Sequence, residues 1–374
     1  MEVIFENLLN LELQHVVMWV IGGVLIYLAI KKDMEPTLLL PIGFGTILVN
    51  LPLTGAVTQI IDGVKEIGII DVLYNAGIAN ELFPILLFVG IGAMIDFTPL
   101  LTNPRMLFFG AAAQFGIFFT LSLAALLGFD IKDAASIAII GAADGPTSIF
   151  VANYFNSKYT GAIIVAAYSY MALVPIIQPF VIRRITTRNE RLIRMQNTGK
   201  TTVSPTTKIL FPIIITVIAG VMAPRSVALV GFLMFGNLIR ECGVLKILSE
   251  TAQKELANLI TILLGITIST KMQAELFLRK ETILILCLGL VAFIFDTVGG
   301  VLLGKFINLF AKNKINPMIG AAGISAFPMS ARVIHKMGLK EDPQNFLLMH
   351  AVGANVAGQI ASVIAGGLII SLVG

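Results

Sequence analysis

The sequence predicts an all-α polytopic membrane protein that forms a single membrane domain over residues 1–374. The first observation is composition: 57% of the residues are hydrophobic, 13% are charged, and mean hydropathy is +0.91. That apolar share exceeds what soluble domains contain. The second is that apolar runs of roughly 17 to 25 residues, long enough to span a bilayer as helices, recur along the chain. The net charge of +4 is modest, reports loop placement, and predicts no nucleic-acid partner.

Twelve apolar segments can be separated, so we expect about 10–12 membrane segments. The one long polar connection, residues 183–207, carries six of the chain's lysines and arginines, and Lys208 follows directly. By the positive-inside rule this basic linker is cytoplasmic. The predicted segments are 15–31, 37–53, 82–96, 106–128, 134–153, 160–182, 208–223, 225–240, 256–270, 281–303, 315–333 and 345–373.

The two halves of the chain resemble each other weakly, which is common in transporter folds. Three sequence matches occur in the same order in both halves, and together they are hard to assign to chance. We therefore predict repeat 1 over residues 15–182 and repeat 2 over residues 208–373. The matched positions are Pro36 with Pro224, Gly90 with Gly265, and Gly141 with Gly320.

Loop charges predict that the second repeat is inverted. The basic segment after the first apolar run and the linker after the sixth are both expected to be cytoplasmic, yet five apolar segments separate them. Five full crossings would put them on opposite faces, so one segment does not cross. The best candidate is 134–153, which contains Asp144, Gly145 and Pro146 and would form a re-entrant or broken helix. Inverted repeats with one broken element each are typical of ion-coupled transporters.

The break around Pro146 carries the chemistry of a cation site. Proline has no N–H, so a helical carbonyl near Ala142 loses its partner and needs another. Asp144, Thr147 and Ser148 add a carboxylate and two hydroxyls, and such oxygens suit a small alkali cation. We predict a Na⁺ site here, because an intramembrane carboxylate is costly and usually functional.

A second predicted break, within residues 316–330, offers similar groups without an acid. Asn316 precedes a proline, and Gly320 and Ser325 follow within the same run. Amide, backbone and hydroxyl oxygens could complete a shell whose charge Asp144 supplies. Close helix packing is an alternative explanation for such small residues, and for Ser330 or Thr147 alone the two explanations are equally good.

Other polar residues in apolar segments have weaker assignments. A functional role is favoured for one of the two tyrosines Tyr168 and Tyr170, and this reasoning does not choose between them. Asp296 is either an auxiliary site or a structural pair with a neighbouring helix. Three polar residues of the last segment, His350, Asn355 and Gln359, are expected to hydrogen-bond across helices. Two cations at the mouth of the second break, Arg332 and Lys336, could attract an anion from the cytoplasm.

Nearly the whole chain resembles the β subunit of the biotin-dependent, sodium-pumping decarboxylases that act on oxaloacetate, methylmalonyl-CoA, glutaconyl-CoA or malonate. The specific motifs are GAADGPTSIF, AAYSYMALVPIIQP, NPMIGAAGISAFPMSARV and NFLLMHAVGANVAGQIAS. The resemblance implies that Asp144 is the essential aspartate and Tyr170 the functional tyrosine. It implies an ion site at Asn316, Gly320 and Ser325.

The resemblance also implies a carboxybiotin decarboxylase that couples decarboxylation to Na⁺ export from the inner or plasma membrane of a prokaryote. A carboxyltransferase α subunit and a biotin carrier protein would deliver the carboxybiotin. A small γ or δ membrane subunit and a homo-oligomeric arrangement are also implied. In this interpretation Asp144, Tyr170 and Ser325 carry the reaction, while Arg332 and Lys336 steer carboxybiotin.

Two alternatives come from other functional classes. A stand-alone secondary sodium transporter, either an antiporter or an organic-anion symporter, would have a similar ion site. A non-catalytic membrane scaffold is the weaker alternative. Binding to a biotinylated carrier and inhibition by avidin would distinguish the decarboxylase from both.

Overall fold

The computed structural model describes residues 9–32, 36–61, 63–195 and 203–374, which are mostly helical and contain almost no strand. The prediction of an all-α polytopic membrane protein is therefore confirmed. Part of the basic linker, residues 196–202, lies outside the described residues, as do residues 33–35 of the first basic segment.

In the first half, every predicted apolar window contains helix. A two-stranded antiparallel hairpin, β1 (Gln59–Ile61) and β2 (Val64–Glu66), was not predicted. The helices are α1 (Leu13–Lys32), α2 (Pro36–Val49), α3 (Ile69–Gly77), α4 (Leu82–Met94), α5 (Thr98–Thr102), α6 (Met106–Ala113), α7 (Phe115–Leu126), α8 (Ile131–Ala138), α9 (Gly145–Tyr154) and α10 (Thr160–Ile185).

The second half begins beyond the linker helix α11 (Arg188–Arg191) and is helical in all six predicted windows. Its helices are α12 (Pro205–Met222), α13 (Val227–Glu241), α14 (Lys246–Thr251), α15 (Ala257–Ile268), α16 (Ala274–Phe277), α17 (Lys280–Phe310), α18 (Met318–Ala321), α19 (Met329–Glu341) and α20 (Leu348–Val373).

Six helices in the described part of the chain are long and apolar enough to cross a membrane, or eight if two bent pairs each form one span. The other four predicted windows hold only helices shorter than 18 residues. Two of those four, 134–153 and 315–333, are the predicted breaks. A bend of 61° between α3 and α4 is a further interruption in the first half, which the loop-charge argument did not consider.

Helices of the two halves pack against each other reciprocally. α2 packs on α15, and α13, which aligns with α2 in the sequence, packs on α4, which aligns with α15. The α4–α13 contact is close because Gly92 and Gly236 lie against backbone carbonyls: a Cβ on either would come within 2.0 Å of the facing oxygen. Two related halves would produce such reciprocal packing of α2 on α15 and of α13 on α4. The inversion of the second repeat stays a prediction.

Candidate ion-binding site

The first break lies where Asp144 was predicted to interrupt a helix. After α8 the chain forms one 3₁₀ turn, Ile139–Ala142, then places Ala143 in the left-handed region at φ +51° and Asp144 in an extended conformation. Pro146 stands in the first turn of α9, where its missing N–H is not needed. A left-handed alanine is uncommon, and such backbone strain concentrates at functional sites.

Asp144 caps the start of α9. Its carboxylate accepts the backbone N–H of Thr147 at 3.5 Å and the Thr147 hydroxyl at 2.7 Å, and the Ser148 hydroxyl donates to the Asp144 carbonyl at 2.9 Å. Asp144 is only 4% exposed and takes part in none of the ion pairs among the described residues. A buried carboxylate without a cationic partner is costly, so the site is suited to a bound cation.

The second break meets the first at a backbone carbonyl. Both the N–H and the hydroxyl of Ser325 donate to the Ala142 carbonyl, at 3.2 and 2.6 Å. This carbonyl is the group predicted to need a new partner next to the proline. Its partner is a donor from the other half of the chain, so the two breaks are held together beside Asp144.

One face of α20 runs along both breaks. Asn355 donates to the Ile324 carbonyl at 2.7 Å, and Gln359 donates to the Ser325 carbonyl. The Ser362 hydroxyl can donate either to the Asp144 carboxylate at 3.3 Å or to the Gln359 carbonyl at 3.1 Å. Their spacings of four and three residues put these side chains on one helical face. The predicted cross-helix hydrogen bonds of Asn355 and Gln359 are confirmed. Ser362 was not predicted, although the same spacing could have identified it.

Several buried oxygens near this junction accept no hydrogen bond from the described residues: Asn355 Oδ1, Gln359 Oε1 and Tyr168 Oη. The Asp144 carboxylate and the two amide oxygens are hard oxygen donors, the class of ligand that alkali cations take. Among the residues that the structure describes, no group of three or more His, Cys, Asp or Glu could hold a transition metal.

Other predicted ion ligands contact different partners. The Asn316 side chain donates to the carbonyls of Arg191 and Ile193, both at 2.9 Å, and so holds the start of the basic linker. Gly320 packs against Gly300 of α17, where a Cβ on Gly300 would lie 2.0 Å from the Gly320 carbonyl oxygen. Neither residue forms a hydrogen bond with Asp144 in the described structure.

The two tyrosines differ in position. The ring of Tyr168 lies directly against Gly145, where a Cβ would come 2.5 Å from Tyr168 Oη. Tyr170 donates its hydroxyl to the Leu286 carbonyl on α17. The structure therefore brings Tyr168, and not Tyr170, to the start of α9.

Arg332 and Lys336 are exposed on successive turns of α19. The end of α19 is tied to the basic linker by two ion pairs, Arg191–Glu341 at 2.8 Å and Arg194–Asp342 at 2.5 Å. Hydrogen bonding from Arg194 lowers the pKa of Asp342 below its ordinary value. The C-terminal end of α19 is thus joined to the basic linker.

Comparisons with known proteins agree with one another. A family model described as "Na+-transporting oxaloacetate decarboxylase beta subunit" matches residues 14–373. The chain is 50% identical over 358 residues to glutaconyl-CoA decarboxylase subunit beta of Acidaminococcus fermentans, covering 96% of this chain and 93% of that one. It is 47% identical to methylmalonyl-CoA decarboxylase subunit beta of Propionigenium modestum, covering 98% and 96%. It is 43% identical to a probable oxaloacetate decarboxylase beta chain of Vibrio cholerae, covering 98% and 97%.

Proposed function

The chain belongs to the family of Na⁺-transporting oxaloacetate decarboxylase beta subunits, and we propose that it decarboxylates carboxybiotin and exports Na⁺ through the junction of its two breaks. The observation that carries the proposal is the contact between Ser325 and the Ala142 carbonyl, beside the buried Asp144. It links a charged break in one half to a neutral break in the other. An ion bound there would feel any movement between the two halves.

The proposed Na⁺ ligands are Asp144, Thr147 and Ser325, supplemented by the unpaired oxygens of Asn355 and Gln359. Two further ligands, Asn316 and Gly320, are supported by the oxygen chemistry of the second break and by the family resemblance, and not by contacts with Asp144. A ligand role for either would require the second break to leave its present contacts with Arg191, Ile193 and Gly300. Such a shift fits a site that alternates between two faces.

The names of the relatives support carboxybiotin as the reacting group. Relatives of similar identity are named for glutaconyl-CoA, methylmalonyl-CoA and oxaloacetate. A shared membrane subunit is expected to act on an intermediate that all three reactions could have in common, and carboxybiotin has that property. A biotin carrier protein and a carboxyltransferase α subunit would supply it, and a small γ or δ membrane subunit and further copies of this chain would complete the complex.

In the proposed reaction, the bond between the biotin ring nitrogen and its carboxylate breaks, CO₂ leaves, and the nitrogen takes up one proton. Arg332 and Lys336 would attract the anionic carboxybiotin on the cytoplasmic side, and Tyr170 would pass the proton. Coupling requires that Na⁺ and carboxybiotin favour different states of the joined breaks. The Ser325–Ala142 contact is a candidate for the element that changes.

Proteoliposomes containing the complete decarboxylase test this function. Oxaloacetate, methylmalonyl-CoA and glutaconyl-CoA would be supplied in turn, while ²²Na⁺ uptake and CO₂ release are measured. One of the acids should drive Na⁺ uptake, and avidin should abolish both signals, while avidin saturated with biotin should leave them unchanged. Na⁺ uptake that proceeds equally with free avidin would instead indicate a stand-alone transporter.

A further inference from the structure

A second carboxylate, Asp296, is completely buried within α17. One of its oxygens, Oδ1, accepts the backbone N–H of Ile117 at 3.2 Å. Ile117 lies in the first turn of α7, and its N–H is shared between Asp296 and the Gln114 carbonyl, which lies at 3.1 Å. Oδ1 therefore anchors the start of α7.

The other oxygen, Oδ2, has no hydrogen-bond partner among the described residues. It points at the 3₁₀ turn before Asp144, since a Cβ on Gly141 would lie 2.6 Å from it. Asp296 also forms no ion pair within the described chain. Anchoring α7 would need only one acceptor oxygen, and an amide could provide it. The capping role thus leaves a buried charge at Oδ2 unexplained.

Thr120 supplies a second unexplained oxygen on the same side of α7. Gly116 and Thr120 are four residues apart and so share a helical face. Gly116 is where α7 touches the carboxylate, because a Cβ there would lie 2.5 Å from Asp296 Oδ1. Thr120 is fully buried, and its hydroxyl has no partner in the described structure.

The unpaired Thr120 hydroxyl contrasts with other helical threonines of this chain. A threonine inside a helix usually donates to the carbonyl four residues earlier. Thr46, Thr216 and Thr297 all do so, at 2.7, 2.7 and 3.1 Å. Thr120 does not, so its hydroxyl oxygen is left for another ligand on the face of α7 that includes Gly116.

We propose that Asp296 Oδ2 and Thr120 Oγ1 bind a second Na⁺ between α7, α17 and the 3₁₀ turn. A carboxylate and a hydroxyl oxygen are ligands of the class that alkali cations take. The position differs from the Asp144 site, because the hydrogen bonds of Asp296 and Asp144 have no residue in common. The identity of the cation rests on the proposed function. An ion at Asp296 would contact the segment that leads into Asp144 and so stabilise one position of the first break.

Equilibrium binding of ²²Na⁺ to the purified, detergent-solubilised complex tests the proposal without requiring turnover. Asp296→Asn retains an oxygen for the Ile117 N–H and removes the charge at Oδ2. Thr120→Val keeps the volume and removes the hydroxyl. Asp133→Asn is the matched control, because Asp133 is also buried but both of its oxygens have partners in Ser157 and Lys158.

We expect Asp296→Asn to lower the Na⁺ bound per chain by one ion, and Thr120→Val to weaken binding of that ion by about tenfold, which corresponds to ~1.4 kcal/mol. Asp133→Asn should match the native complex. If Thr120 has only a structural role, Thr120→Val should leave Na⁺ binding unchanged. It should also stabilise the fold, because it removes an unpaired buried hydroxyl.

If Asp296→Asn binds as many Na⁺ ions per chain as the native complex, the proposal is overturned. This result is also expected if Asp296 carries a proton and no Na⁺. If that variant fails to assemble, unchanged Na⁺ affinity in Thr120→Val would overturn it equally. Asp144→Asn, measured alongside, separates this proposal from the proposed function. Its failure to reduce Na⁺ binding would contradict the main site and leave the Asp296 result standing.

Discussion

The two breaks differ in how they satisfy the backbone groups that have no hydrogen-bond partner within a helix. In the first break a carboxylate, Asp144, caps the following helix and is itself held by hydroxyls. In the second break the carbonyls of Ile324 and Ser325 are satisfied by amide side chains from α20, and Ser325 reaches across to Ala142. The first break therefore provides charge, and the second provides neutral donors that fix its position. Substitutions in the second break should therefore weaken Na⁺ affinity without abolishing Na⁺ binding.

The largest effect in the neutral break is expected for Ser325→Ala. The Ser325 N–H still bonds the Ala142 carbonyl in this variant, but the hydroxyl bond and a proposed Na⁺ ligand are both lost. We expect this to cost about 1–3 kcal/mol and to raise the half-saturating Na⁺ concentration for decarboxylation about 5- to 150-fold. The Na⁺ dependence of CO₂ release measures this. Ser330→Ala is the control, because the Ser330 hydroxyl bonds Gln178 and the Ala321 carbonyl. An equal shift in both variants would contradict the role of the junction.

A smaller shift is expected for Ser362→Ala. This change removes a 3.3 Å hydrogen bond to the Asp144 carboxylate, so we expect a loss of ~1 kcal/mol and about fivefold weaker Na⁺ activation. Ser371 lies on the same helix and donates only to the Gly367 carbonyl, so Ser371→Ala should leave Na⁺ activation unchanged. If the two serine variants behave alike, α20 does not act on the charged break.

The tyrosines should separate ion binding from proton transfer. Tyr168 lies against Gly145 at the charged break, so Tyr168→Phe should shift the Na⁺ dependence within a few-fold and leave the maximal rate unchanged. Tyr170 faces α17, and as the proposed proton donor its change to Phe should lower the maximal rate. Steady-state rates of CO₂ release at saturating and limiting Na⁺ would separate an effect on Na⁺ affinity from an effect on the maximal rate. The reverse pattern would assign the proton to Tyr168.

The smallest effect concerns the Arg194–Asp342 ion pair, which lies outside the membrane segments. Arg194 lowers the pKa of Asp342 in the folded chain, so the pair stabilises the fold above the ordinary aspartate pKa of about 4 and loses this contribution as pH falls through the lowered value. Arg194→Ala should reduce the thermal midpoint slightly at pH 7 and by a smaller amount below the lowered pKa, where the hydrogen bond from Arg194 to Gln344 remains. A reduction of equal size on both sides of the lowered pKa would contradict the electrostatic origin.

Sequence reasoning predicted the helical class and the position of the first break, because Asp144-Gly145-Pro146 is a compact local signal. It also predicted that the Ala142 carbonyl would need a partner. It did not predict that Ser325 would be that partner, since a contact across 183 residues depends on how the halves pack. Loop-charge parity did not include the α3–α4 bend, because α3 lies outside the twelve predicted apolar segments.

The residues of the candidate ion site likewise fall into those that the sequence could predict and those that only the structure reveals. Thr147 was predictable because it follows Asp144 within one turn. The oxygens of Asn355 and Gln359 become candidates only when their hydrogen-bond partners are known, since the sequence cannot show which acceptors remain unpaired. Asp296 was recognised as a buried acid, and its contact with the 3₁₀ turn was visible only in three dimensions.

Decarboxylation-driven ²²Na⁺ uptake by Asp144→Asn in proteoliposomes is the most direct test of the charged break. Asparagine can still cap α9 through Thr147, so the fold should survive while the charge is lost. We predict that Na⁺ uptake falls to background in this variant and stays at the native rate in Asp133→Asn. Uptake near the native rate in Asp144→Asn would show that the ion is carried elsewhere and would contradict the central claim.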